Sequence, residues 1–133
     1  MPERDDDPRV GDEEFLPITR DPAMARLLRK QLEVLADGKA GEVMQEMARE
    51  VLSGRIGLRE AVRVGAYEEE LVKHVDTFRG KWDEMSEAER AHAEREGAKF
   101  LEEQREEIAR EREERTRASR EKSRHGGQRG SSF

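Results

Sequence analysis

The chain contains no cysteine. That single absence excludes disulfides, thiolate zinc sites and a cysteine nucleophile together. Aromatic residues are scarce, with one Trp, one Tyr and four Phe, so any core has few large side chains to gather around. Proline stops at Pro22, which leaves the remaining chain free of the strongest helix breaker. No apolar run nears the ~18 residues that a membrane-crossing helix needs. The N-terminus, MPERDDDPRVGDEE, is acidic where a secretory signal is basic and then apolar. The reading is a cytoplasmic protein without membrane association. The few serines sit at helix boundaries or near the C-terminus, with no His and acid arranged to activate them. No strand pattern exists for a glycine-rich phosphate loop to follow. No enzyme, cofactor or metal is therefore expected.

Charge is what the chain has in excess. Charged residues make up 44% and apolar ones 33%, against a usual ~25% and ~45–50%. Such a composition favours disorder wherever apolar residues fail to cluster, and here they cluster between Met24 and Ile108. Twenty Arg against six Lys is the bias of a GC-rich bacterial genome. Residues 1–109 carry 18 basic and 28 acidic side chains, net −10, and residues 110–133 carry eight and four, net +4. An acidic body thus bears a basic tail.

The spacing predicts an all-α fold: a small irregular bundle of four to five helices over residues 21–108. Residues 1–20, with seven acids and three prolines, read as a disordered acidic segment, in which Phe15, Leu16 and Ile18 form a short apolar patch able to dock onto a partner or onto the body. Asp21-Pro22 is a helix start, since Asp accepts from orphan N–H groups and Pro costs nothing at the first position. Met24, Leu27, Leu28, Leu32 and Leu35 then hold helical spacing to Gly38. A second helix, 42–52, packs antiparallel on the first across a short turn. Gly57 and Gly65 bracket a short third helix, 58–64.

Tyr67–Met85 is the organising stretch. Tyr67, Leu71, Val75, Phe78, Trp82 and Met85 are spaced by four, four, three, four and three, and so share one helical stripe. Leu71, Val75, Phe78, Trp82 and Met85 are read as core, with Trp82 packed inside, or as a helix-in-groove surface for a partner. Gly80, inside this helix, is read as room for another helix to approach. Ser86-Glu87-Ala88-Glu89 is a capping box that starts a new helix. Apolar residues end at Ile108, after which i,i+4 Glu–Arg pairs alone support it. Residues 109–133 are thus a charged helical extension, fraying into a flexible basic tail from Arg124.

Other patterns carry less. Glu89-Arg90-Ala91-His92 has the Glu-x-x-His step of di-iron bundles, but the second copy and facing carboxylates are missing. His74, four residues after Glu70, is an ordinary helix-surface pair. Gly126-Gly127-Gln128 resembles the tripeptide of class-I peptide-release factors, over three residues only and without the folded domain that surrounds it there. Trp82 near a helix corner is similar to the WxG hairpins of type VII secretion substrates, though Glu84 stands where their Gly would be. The expectation is a non-catalytic interaction module, an adaptor, regulator or assembly factor whose partner is another protein. A nucleic-acid- or ribosome-associated protein acting through the Arg-rich tail, and a secretion-associated helical protein, are the alternatives. Nucleic acid is disfavoured, because the tail interleaves four Glu and hangs from an acidic body.

Overall fold

The computed structural model describes residues 8–131. A 3-10 turn, Asp12–Phe15, leads into six helices: α1 (Leu16–Thr19), α2 (Pro22–Ala36), α3 (Glu42–Leu52), α4 (Leu58–Ala61), α5 (Gly65–Glu84) and α6 (Glu87–Ser131). No strand occurs among the described residues. The protein is all-α, a small bundle with a long charged helix leaving it.

Local chemistry sets the boundaries. Asp21 accepts a hydrogen bond from the Ala23 N–H at 2.9 Å, and Pro22 follows at the first helical position. The turn between α2 and α3 passes through Gly38 and Gly41, at φ +92° and +95°. Only glycine enters that region without strain. The Gln45 side-chain amide donates to the Ala36 carbonyl at 3.2 Å, satisfying one orphan acceptor at the end of α2. The two helices pack along their length. Leu32 and Ala36 meet Met44, Met47, Ala48, Val51 and Leu52, and all seven are buried. Ala61 of α4 and Tyr67 of α5 complete this core. The Tyr67 hydroxyl donates to Glu46 at 2.9 Å, so its polar end is satisfied where the ring is covered.

The folded unit begins well before the expected boundary at residue 21. Phe15 is 0% exposed and sits in the same core. The Val10 N–H donates to the Leu52 carbonyl at 2.8 Å and so caps the end of α3. Asp12 accepts from Arg26 at 2.9 Å and also from Arg29. One inserted ring and one paired carboxylate order a segment too short for any apolar period. The expected disorder of residues 1–20 therefore does not hold from Pro8 onward, and residues 1–7 lie outside the described residues.

Helix α6 returns to the body and lies on α2. Ile108 and Gln104 are buried there. Arg26 grips Glu111 with both terminal nitrogens, at 2.9 and 2.7 Å. Lys30 donates to Gln104 at 3.3 Å, and Arg105 donates to Asp21 at 3.0 Å. The packed part of α6 thus reaches Glu111, one turn beyond the expected boundary at residue 108. Residues 112–124 are exposed throughout. The flexible end expected from Arg124 is helical as far as Ser131, and residues 132–133 lie outside the described residues.

These contacts shift the groups that make them. Partial burial pushes the Asp12 carboxyl up, but Arg29 and Arg26 together pull it below its ordinary value. The hydrogen bond from Arg26 lowers Glu111, and that from Arg105 lowers Asp21. All three carboxylates are depressed in the folded state. Their contribution is present above the unfolded carboxylate pKa of ~4 and disappears as pH falls through the lower folded values. We expect thermal midpoints that are flat near neutrality and drop below about pH 4. Arg26→Gln should shrink that acid limb, and an identical limb in the variant would exclude these pairs as its source. Phe15→Ala should cost ~3–5 kcal/mol in chemical denaturation; a loss below ~1 kcal/mol would place the ring outside the cooperative core.

Candidate interaction surface

Helix α5 is held at one end only. Its first turns pack on α3, with Tyr67 buried and Leu71 half-buried against the core. Beyond Leu71 it leaves the body. The α5 and α6 helices do not pack along their lengths: the partner of α5 is α3, and that of α6 is α2. The two meet at a corner, Met85-Ser86.

That corner is built with care for its orphan groups. Met85 is extended (φ −74°, ψ 145°) and ends α5. Ser86 starts the next helix as the capping box requires: its N–H donates to the Glu89 carboxylate at 3.0 Å, and its hydroxyl accepts from the Glu89 N–H at 3.1 Å. The backbone N–H of Ser86 is the main reason that the Glu89 carboxyl is held below its ordinary value. Arg90 then reaches back. Its Nε donates to the Trp82 carbonyl at 2.9 Å and a terminal nitrogen to the Asp83 carbonyl at 3.0 Å. Its guanidinium lies 6.0 Å from the centre of the Trp82 ring, within cation–π reach. Phe78 stacks with that indole, with centroids 6.2 Å apart and planes 21° apart.

The stripe of the sequence reading therefore divides. Tyr67 and Leu71 belong to the core. Val75 is 52% exposed and Phe78 67% exposed, while Trp82 and Met85 are half-buried at the corner. The core alternative, with Trp82 packed inside, fails beyond Leu71 for a physical reason: α3 is eleven residues long and is used up before α5 reaches Val75. Gly80 does not receive a helix either, since no atom lies within 4 Å of where its Cβ would stand. Val72, 53% exposed, widens the free face, and Phe100 is the exposed aromatic on α6. Sequence reasoning missed Val72, which stands one residue off the stripe. It also missed Arg90, whose only signal is an Arg soon after a helix corner.

Among the described residues, no group of three His, Asp or Glu is placed to hold a metal ion. Glu89 is spent on the cap, and His92 is exposed. Glu70 pairs with Lys73 at 3.3 Å rather than with His74. A groove of about 250 Å³ runs between the N-terminal turn, α2 and α6, but its Asp12, Arg26 and Glu111 are already engaged with one another. Comparison with family models, with curated proteins and with solved structures yields no match.

The division of the stripe predicts unequal mutational costs. Tyr67→Ala should destabilise by ~3–5 kcal/mol and Trp82→Ala by only ~1–2 kcal/mol, through loss of its ring contacts. Phe78→Ala should stay within ~1 kcal/mol of the parent. Urea denaturation checks all three, and a Phe78 cost equal to that of Tyr67 would mean that the ring is covered in solution.

Proposed function

We propose that the protein is a non-catalytic interaction module that receives a helix of another protein on the outer half of α5. The exposed row of Val72, Val75 and Phe78, ending at the Trp82–Arg90 stack, carries this reading. A soluble chain this poor in apolar residues rarely leaves an aromatic and two valines together on one free face. Val75, Phe78 and Trp82 stand at i, i+3 and i+7, the spacing of the anchors by which one helix reads another. Adaptor, regulator or assembly factor are the roles consistent with binding and no chemistry. A cytoplasmic location fits this reading. No helix among the described residues is long and apolar enough to cross a membrane.

The competing role for the tail rests on its exposed charges. Eight Arg and Lys against four Glu in residues 110–133 leave at most four uncompensated, so phosphate binding would show a log–log salt slope no steeper than about −3.6. Capture experiments with the intact chain, with Phe78→Glu and with a chain truncated after Arg115 separate the two. Residues up to Arg115 are kept because Glu111 belongs to the packed body. We expect a protein partner retained by the intact and truncated chains and lost with Phe78→Glu. Binding lost on truncation, sensitive to salt and indifferent to Phe78→Glu, would overturn the proposal in favour of a phosphate-binding tail.

A further inference from the structure

We infer that the occupant of the α5 face is an acidic amphipathic helix of another protein, selected by Arg79, Lys81 and the Arg90 corner. The inference rests on the α5 face being the interaction surface and adds the chemistry of what it binds. Leu71, Val75, Phe78, Trp82 and Met85 alternate gaps of four and three, the a/d pattern by which helices pair side by side. At 100° per residue, Arg79 and Lys81 fall about 80° to either side of the centre line of that stripe. These are the flanking positions that choose partners in helix pairs. His74 falls on the same flank as Lys81. Over the exposed half, the acids Asp76, Asp83 and Glu84 lie about 120–140° away, on the back of the helix. Glu68 and Glu70 flank only the end where the stripe is already covered by the core.

The flanking cations are available. Arg79 and Lys81 are exposed, and among the described residues neither pairs with an acid. The acids that pair with arginines of α2 and α6 are others, Asp12, Asp21, Glu33 and Glu111 among them. Arg90 adds a third positive group over Trp82 at the free end. Over its exposed half the seam is flanked by Val72 and Arg79 on one side and by His74 and Lys81 on the other, with no acid among them, which favours a partner whose own seam is edged by Glu and Asp. It also disfavours a second copy of α5. In a parallel pair His74 would face Arg79, and in an antiparallel pair each flank would face its own kind.

The chain carries its own reporter, because Trp82 is its single Trp and lies at the face. Two Trp-free synthetic peptides of about 18 residues, helical and with the same leucine seam, serve as probes. One has Glu and the other Lys at its flanking positions. Titration of the full chain, read by Trp82 fluorescence, should show binding of the Glu peptide, weakening as salt rises, with the Lys peptide at least about tenfold weaker. Arg79→Glu with Lys81→Glu should reverse the preference at an unchanged thermal midpoint, since both side chains are exposed. Phe78→Glu should abolish binding of both peptides. Equal binding of the two peptides would overturn the charge inference and leave the α5 face standing as the interaction surface. A dimer by sedimentation equilibrium that Phe78→Glu disperses would assign the face to a second copy and overturn the inference. Failure of both peptides to bind, with partner capture unaffected by Phe78→Glu, would overturn the inference together with the reading it rests on.

Discussion

Arg26 is the side chain on which the arrangement depends. It is only 14% exposed, and its guanidinium touches two segments from opposite ends of the chain. Its Nε holds Asp12 of the N-terminal turn, and its two terminal nitrogens hold Glu111 of α6, 85 residues away. A planar fork can do this because its donors point in fixed, divergent directions; an ammonium group has three donors but no planar fork with which to grip one carboxylate through two nitrogens while holding another. Glu111 and Asp12 in turn hold the guanidinium more firmly protonated than usual. Without this joint the apolar contact of α6 would be little more than Ile108, too small to keep a long polar helix on the body.

The apolar supply explains what is left uncovered. Helices α2 and α3 bury each other, Phe15 closes one side, and Tyr67 with Leu71 closes another. The largest fully buried side chains, Phe15, Met44, Met47, Leu52 and Val51, are all spent there. Helix α6 is covered in charge and docks through ion pairs and a buried Gln104, leaving no apolar face to spare for α5. The valines and the phenyl ring beyond Leu71 therefore stay in solvent, and the corner at Met85-Ser86 is stabilised by hydrogen bonds and stacking instead of burial.

Much of this was legible in advance where the determinant is local. The Asp21-Pro22 start, the glycine turn before α3 and the Ser86–Glu89 capping box each need a few adjacent residues, and each stands where the spacing places it. Of residues 10–15 only Phe15 was legible, as part of an apolar patch able to dock; what orders the rest is contact with Leu52, Arg26 and Arg29, far along the chain. The stripe on α5 was legible as a stripe but not as covered or free. Helical spacing fixes which residues share a face; whether anything lies over that face depends on the lengths of other elements. Ala25 and Ala36 make the same point, since these small side chains are buried while the larger Met24 is exposed.

The length of α6 gives the molecule an unusual drag in solution. Forty-five helical residues at 1.5 Å per residue make a rod of roughly 68 Å, whereas a domain of about 100 residues has a radius of gyration near 13 Å. Such a rod slows translation and makes tumbling strongly direction-dependent. A single chain of 15.4 kDa will therefore pass through a gel matrix as though it were a considerably larger sphere. For a single chain of this form, an elution volume that looks dimeric is the ordinary hydrodynamic signature.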